Sequence, residues 1–453
     1  MDIQRERPLS TTLTEKELGS GRALLSKSYS KELQKAFEIY ELAYTTYNAL
    51  IKTRITSLPF TRATSSVIVN IDRAMEIAKT TITQDKFDAI LLEEIIERLE
   101  IMKVRLEYSR AKTFSYDSVL RTYGITHDDI KTLEKRFKNI DYETLSDNLL
   151  VANGQSYDER PVGLEEVKMT KELFLKLLKI TFELSPQTIK SEILDFNTYL
   201  KNSVQMVELD GRSYQSSGRI YLNVNDAEFI YVRPVDGCRY KQFLDPFSSS
   251  GLVGEEGLLG HQGQFLITEK AEIPVFLKNG QKYITMINAE TLGDMGRYNL
   301  IRHLKADDFA PQLCFEDFNF LKQRFETWQT AKIITKFFRG YESYIYFTNN
   351  KDENLTAKMM YSITKSEGYL SEEYIKRVKI YYESIAFWGS YNDNIEVWGY
   401  LIATLIREKI DEKIDKLNFE SAERIREQLS IGWWTRKGFE KYVDYLIETL
   451  GRS

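Results

Sequence analysis

The chain has 453 residues, of which 42% are hydrophobic and 28% charged, and its formal net charge is −5 at pH 7. This hydrophobic fraction is close to the ~45–50% of globular proteins and supplies a large core, which excludes a disordered or fibrous chain. The negative net charge argues against a protein whose main task is to coat nucleic acid. Three histidines and two cysteines leave little material for zinc sites and exclude a disulfide-stapled secreted fold.

The first residues, MDIQRERPLSTTLTEKELGS, are charged and contain no apolar stretch, so we expect no signal peptide. The longest largely apolar run, from Val397 to Ile406, is far shorter than the ~20 residues that a membrane-spanning helix needs. The sequence therefore predicts a cytoplasmic protein without membrane contact, found in the host cytoplasm or in the particle if the protein is viral.

Helix-type spacing dominates the first part of the chain, after a flexible polar arm at 1–28. One apolar stripe steps four and three residues apart, as in packed helices: Leu33, Phe37, Tyr40, Tyr44, Tyr47 and Ile51. We expect a helical domain over 29–150, with helices from near Ser30, at 66–80, from about Asp85 to Arg110, at 126–138 and at 143–150. A linker with helices at 164–182 and 186–201 then occupies 151–202.

Strand-type alternation follows, and it predicts an antiparallel β-rich domain over 203–305. Apolar residues alternate with polar neighbours around Met206 and Leu222, and the apolar run Phe229–Val232 suits a buried strand. Asn279-Gly280 stands between two β-rich runs, which is typical of a type I′ hairpin because both turn positions need positive φ. We therefore expect a hairpin at 275–284.

The remainder, 306–453, reads as a C-terminal helical domain with helices at 315–339, 353–365, 371–386, 393–415, 419–429 and 435–450. The expected fold class is α+β and mainly helical, with an N-terminal helical bundle, a central antiparallel β-rich domain and a C-terminal helical bundle.

Five glycines recur at every third position in the predicted loop 246–263: Gly251, Gly254, Gly257, Gly260 and Gly263. A collagen helix has this period, but it also needs proline and many more triplets. The pattern favours a mobile loop between strands. An ordered contact between subunits and a backbone cradle for an anion are the alternatives.

Catalytic signatures are weak, since no P-loop and no strand-linked GxGxxG occurs. His127-Asp128-Asp129 resembles a metal-binding pair, but Thr126 before it favours a helix N-cap with acidic residues in the first turn. Cys314 lies between apolar residues, which predicts a position in the core. Cys238 follows a turn and has no histidine nearby in sequence, so its surroundings do not support a nucleophile.

Glu255, Glu256 and His261 could ligate a metal, although a solvated loop is the simpler interpretation. The sequence thus predicts no catalytic residue, no cofactor and no metal ligand.

Two aromatic residues, Trp433 and Trp434, precede the basic residues Arg436, Lys437 and Lys441. Base stacking on tryptophan with phosphate contacts is one interpretation. Tryptophans in the core beside a solvated helix face are the other.

One local resemblance lies in KIDKLNFESAERIREQL, between Lys413 and Leu429. The residues that carry it are Ile414, Leu417, Phe419, Glu420, Ala422, Ile425, Arg426 and Leu429. This segment is similar to the UVR motif of the excision-repair proteins UvrB and UvrC. The resemblance implies a short helical hairpin that contacts another protein, with Asn418 breaking and capping between the helices. Nothing else in the chain resembles the helicase or nuclease parts of those proteins.

The missing catalytic signature favours a non-enzymatic structural or assembly protein of a large complex, with a phage or virus particle as one setting. Its expected partners are other protein subunits in a homo- or hetero-oligomer, with nucleic acid as a secondary candidate. The alternative is an enzyme or binding factor acting on nucleotides or nucleic acid through a site assembled from distant residues. Its best candidates are the glycine loop, Glu255, Glu256 and His261, together with arginines of the predicted β-rich domain.

Overall fold

The computed structural model describes residues 29–53, 58–111, 116–138, 164–187, 189–190, 195–208, 220–223, 228–233, 246–280, 284–309, 318–388 and 392–451. The helices before the strands are α1 (Lys31–Thr53), α2 (Leu58–Thr80), α3 (Lys86–Ala111), α4 (Tyr116–Thr122), α5 (His127–Phe137), α6 (Leu164–Leu184) and α7 (Phe196–Ser203). The predicted arm 1–28, the predicted helix 143–150 and both cysteines lie outside the described residues.

Three strands follow: β1 (Val204–Glu208), β2 (Ile220–Asn223) and β3 (Glu228–Arg233). The later helices are α8 (Pro246–Glu256), α9 (His261–Lys270), α10 (Val275–Lys278), α11 (Met286–His303), α12 (Phe318–Thr348), α13 (Glu353–Thr364), α14 (Glu372–Trp388), α15 (Asn392–Ile414), α16 (Phe419–Leu429) and α17 (Arg436–Leu450). Short 3₁₀ turns occur at Ala306–Phe309 and Glu367–Leu370. Among the described helices, none is both long and apolar enough to cross a bilayer.

The largest hydrophobic core joins helices from both ends of the chain. The stripe of α1 is buried at Leu33, Tyr40 and Tyr47, as its four-three spacing predicts. The same core contains Trp434 and Tyr442, whose rings stack at 4.6 Å between centroids. Helices predicted in separate blocks therefore bury their apolar faces against each other.

Helix caps explain where several elements begin. Thr126 is the N-cap of α5, as predicted: its side chain accepts a hydrogen bond from the backbone N–H of Asp129, whose side chain accepts one from the Thr126 N–H. Asn418 caps α16 in the same way, with its side chain accepting from the Ser421 N–H. Each cap satisfies an N–H group that the helix itself leaves unpaired.

The predicted fold class is wrong in its centre, because the described residues are mainly helical and form no β-rich domain. The strands described within 203–305 form one small sheet in the order β1-β3-β2. In this sheet β1 pairs with β3 in parallel, with Val204 opposite Phe229, whereas β2 is antiparallel to β3. From residue 246 onward the described part of this range is helical.

Of the predicted hairpin at 275–284, the stretch Val275–Lys278 is instead the short helix α10, and residues 281–283 lie outside the described residues. Pro274 sets the entry to this helix with a φ of −52°. Phe276 and Leu277 are buried in the large core, and Asn279 has a φ of −95° rather than the positive value that a type I′ turn needs. Burial of these side chains outweighs the local strand propensity.

The glycine segment folds into two helices joined by a short turn, and not into a loop between strands. Gly254 on α8 lies against Gly296 on α11: a Cβ added at Gly254 would sit 2.7 Å from the Gly296 carbonyl oxygen. A Cβ at Gly263 would lie 2.0 Å from the Leu258 carbonyl oxygen. The glycines therefore permit close backbone approach in a packed region.

Candidate functional site

A small cavity lined by charged side chains lies where α8, α11, α12 and α15 meet. We call it the charged cavity. Its volume is about 30 Å³, room for one or two water molecules or an ion. Its lining residues are Glu255, Glu290, Asp294, Arg297, Tyr298, Gln329, Lys332, Ile333, Lys336, Tyr400, Leu401 and Thr404.

An alternating chain of ion pairs forms one wall of the charged cavity. Arg297 contacts the Oε2 atom of Glu255 and donates to Asp294 at 2.9 Å. Asp294 also accepts from Arg407 Nε at 3.3 Å, and Arg407 reaches Asp411 at 3.0 Å. Because these side chains are at least four-fifths buried, each depends on its partners to offset lost hydration.

Three potential metal ligands meet at this wall. One ligand atom each from Glu255, His261 and Glu290 lies within 4.8 Å of the other two. They come from the end of α8, the first residue of α9 and the second turn of α11. Within the part of the chain that the structure describes, neither His261 nor Glu290 forms a hydrogen bond or ion pair, so these two groups differ from the neutralised wall.

Lysines approach the charged cavity from α12. Lys336 places its Nζ atom 4.0 Å from the centre of the Tyr400 ring, a cation–π contact. Lys332 stands one helical turn earlier, and both lysines are partly exposed. The cavity is therefore close to the protein surface on this side.

Burial and charge crowding shift the pKa values of the groups around the charged cavity. Burial raises the pKa of the Glu290 carboxyl to about 7. Burial, followed by the positive charges of Lys332 and Arg297, lowers the pKa of Lys336 to about 8. Burial raises the pKa of Glu255, but Arg297 together with His261 and Lys332 outweighs burial and holds that pKa below its ordinary value. Perturbed pKa values cluster at functional sites, and buried ion-pair networks produce them as well.

Two larger surface cavities carry charges that are already paired. In a cavity of about 330 Å³ beside α12 and α14, Glu342 accepts hydrogen bonds from Tyr374 at 2.7 Å and Tyr382 at 3.2 Å. In another, of about 350 Å³ beside α3 and α17, Lys437 pairs with Glu97 at 3.1 Å. The charged cavity thus remains the stronger candidate for chemistry.

The His127-Asp128-Asp129 segment serves the start of α5. Asp129 completes the cap with Thr126, and His127 Nδ1 lies 2.9 Å from the Tyr344 hydroxyl. His127 Nε2 lies 3.1 Å from Asp117 Oδ1 on an exposed face. This is the capping arrangement that the sequence favours.

The predicted interaction residues of the UVR-like segment are partly exposed and partly buried. Phe419 is 81% exposed, Glu420 is exposed and Leu417 is half-buried. Arg426 is half-buried and pairs with Glu423 at 2.7 Å. Ile425, in contrast, is fully buried in the large core.

Trp433 and Trp434 lie in the packed turn before α17. Trp434 is fully buried, and its indole N–H donates to the Ile431 carbonyl at 2.9 Å. Trp433 packs on Gly280, where an added Cβ would be 3.1 Å from the indole, and its backbone N–H donates to the Leu277 carbonyl at 2.8 Å. These contacts account for both tryptophans by packing.

Sequence reasoning singled out Glu255 and His261 but missed Glu290, Lys332 and Lys336. The missed residues lie on long helices among many other charged residues, where spacing gives no signal. Comparisons of the chain with protein-family models, with curated proteins and with solved structures find no match. The chemistry of the charged cavity therefore has to be argued from its own residues.

Proposed function

We propose that the protein is an enzyme whose reaction centre is the charged cavity, where a water molecule held in the cavity reacts with a small anionic substrate bound at its surface side, beside Lys332 and Lys336. The observation that carries this proposal is the meeting of two lysines with Glu290 around a water-sized space, with His261 beside Glu290 and within 4.8 Å of it. Among the described residues, neither Glu290 nor His261 has a hydrogen-bond or ion-pair partner. This is a site assembled from distant residues, as in the enzyme alternative drawn from the sequence.

The charge distribution supports an anionic substrate. The ion-pair wall already neutralises Arg297 and Arg407, whereas Lys336 contacts an aromatic ring in place of a carboxylate. An ammonium group with low hydration attracts an anion more strongly than a lysine in water does. Lys336 would therefore hold the anionic group and stabilise charge that develops during reaction.

A substrate screen tests the proposal. The purified chain is assayed for hydrolysis of phosphate esters, carboxylic esters and amides, with thermal-shift measurements against the same compounds. We expect turnover of an anionic member of the panel, reduced at least tenfold in Lys336→Met. Lys358→Met is the matched control, since Lys358 is exposed on α13 away from the cavity. Absence of turnover and of any ligand-induced shift across the panel, or equal activity in Lys336→Met, would refute the proposal.

A second candidate function, protein–protein assembly, is favoured by the exposure of Phe419. A phenylalanine that is 81% exposed at the corner between α15 and α16 gains free energy when another protein covers it. The proposed partner is another protein subunit, as the resemblance to the UVR motif implies.

Paired substitutions test this second candidate. Phe419→Ser should abolish co-purification of the partner from the source cell while leaving thermal stability unchanged. Phe320→Ser is the control, because Phe320 is also exposed, at 56%, but lies on α12. If both variants retain the same partners as the unmodified chain, the assembly function through Phe419 is wrong.

A further inference from the structure

We infer that Glu255, His261 and Glu290 bind one divalent transition-metal ion. This inference deepens the proposed enzyme function, since it names the ion that would activate water in the charged cavity. Metal binding is measurable without turnover, so the two proposals fail separately.

The geometry of the three side chains is close to that of a coordination sphere. Their ligand atoms lie within 4.8 Å of one another. Three ligands about 2.1 Å from one tetrahedral ion lie ~3.4 Å from each other, so side-chain movements of up to about 0.8 Å complete the set. The ligands come from three helices whose backbones pack closely, which limits larger movements.

The local arrangement leaves these groups available to an ion. Arg297 contacts only the Oε2 atom of Glu255, which leaves Oε1 for the metal and fixes the orientation of the carboxylate. Such an orienting partner is usual for carboxylates that ligate metals. Among the described residues, Glu290 and His261 have no hydrogen-bond or ion-pair partner that a metal would have to displace.

Gly293 makes room for the imidazole. It follows Glu290 by three residues on α11, and a Cβ added to it would lie 2.8 Å from both Cε1 and Nε2 of His261. Any other residue at this position would force the His261 ring to shift from its present place. The absence of a side chain at 293 is therefore a positional requirement of the ligand cluster.

The ligand types select the class of metal. One imidazole with two carboxylates suits zinc, manganese or ferrous iron better than magnesium or calcium, which prefer oxygen ligands alone. Three protein ligands leave at least one position open, as in catalytic zinc sites. The charged cavity, at about 30 Å³, has the size for a water molecule in that position.

Metal titration of the full chain tests the inference. Protein stripped with a chelator is titrated with Zn²⁺ and with Mn²⁺ by calorimetry, and Co²⁺ is added as a spectroscopic probe. We expect one equivalent to bind, with affinity reduced about 100-fold in Glu290→Gln and in His261→Asn. The substituted side chains come from different helices, and thermal unfolding verifies that each variant is folded.

Two control variants separate this site from other candidates. Glu256→Gln changes a neighbouring carboxylate outside the cluster, and His127→Asn removes the exposed pair with Asp117. Both should bind metal like the unmodified chain. The inference is overturned if no ion binds, or if binding survives Glu290→Gln and His261→Asn unchanged; loss in His127→Asn would then place the ion beside Asp117. Metal binding without turnover keeps this inference and removes the enzyme function, whereas turnover without any metal binding does the reverse.

Discussion

Gly293 and His261 are in direct contact across the α9–α11 interface. A Cβ at position 293 would meet the imidazole at 2.8 Å and the Cγ atom of Glu255 at 3.3 Å. Glu290 and Asp294 flank this glycine on the same helix. The site thus depends on the absence of a side chain at position 293 as well as on its charged side chains.

Substitution of this glycine should separate stability from metal binding. Gly293→Ala gains up to about 1 kcal/mol of helix propensity, which offsets the cost of displacing the His261 ring. We therefore expect the free energy of unfolding to change by less than about 1 kcal/mol while Zn²⁺ affinity falls at least tenfold. Urea unfolding and calorimetric titration measure the two effects.

The control for this substitution is Gly399→Ala on α15. There the added methyl would meet the flexible end of Met286, with the sulfur at 3.1 Å. Its metal affinity should equal that of the unmodified chain. A Gly293→Ala variant that binds zinc as tightly as this control would show that His261 does not need the space.

Much of the helical framework could be predicted from sequence because its signals are local. Thr126 and Asn418 are caps whose partners lie three residues away, and α16 has the predicted bounds 419–429. The strand prediction at 275–284 was wrong because the conformation of Leu277 and Asn279 depends on contacts with Trp433 and Arg98, which are distant in sequence. Arg98 reaches the Asn279 carbonyl at 3.4 Å, and no local pattern contains that contact.

The candidate site shows the same difference between local sequence signals and contacts that only the folded chain creates. Glu255 and His261 were visible as a possible metal pair because they are close in sequence. Glu290 and Lys336 join them only through the packing of α11 and α12 against α8. The glycine spacing predicted a loop, but the glycines lie in helices whose backbones approach closely. Gly254 on α8 and Gly296 on α11 have no Cβ, and this permits the approach.

A second glycine contact should be far less tolerant. A Cβ at Gly296 would lie 2.4 Å from the Gly254 carbonyl oxygen, and a backbone atom cannot rotate away as a side chain does. Gly296→Ala should therefore destabilise the protein by about 2–3 kcal/mol despite its better helix propensity. Chemical denaturation measures the loss. A stability equal to that of Gly399→Ala would contradict close packing of α8 on α11.

The buried pair between Glu94 and Arg98 should be important for the junction of α3 with α17. Both side chains are fully buried, with Arg98 Nε donating to Glu94 at 2.6 Å. Glu94 also accepts from the Thr435 hydroxyl at 2.6 Å. Arg98→Met would leave this carboxylate without its cation, so we expect a loss of about 3–5 kcal/mol.

A double-variant cycle tests that interpretation of the pair. Adding Glu94→Gln to Arg98→Met removes the uncompensated charge and should recover part of the lost stability. Urea denaturation of the four proteins gives the coupling free energy. If the double variant is less stable than the sum of the two single losses, the pair does not act through mutual charge compensation.

The contact between Asp129 and Arg436 should give the protein a specific acid sensitivity. The Asp129 carboxyl is partly buried, which raises its pKa, but hydrogen bonds and charge from Arg436, together with Thr126, lower the pKa overall. Because the folded-state pKa is below the unfolded value of ~3.9, this pair stabilises the protein above that pH and loses its effect as the pH falls further. Asp129→Asn should cost about 2 kcal/mol at pH 7 and progressively less from about pH 5 downward. Urea denaturation of both proteins between pH 7 and pH 3 measures this difference, and a difference that stays constant with pH would show that Asp129 acts as a neutral cap without an ion pair.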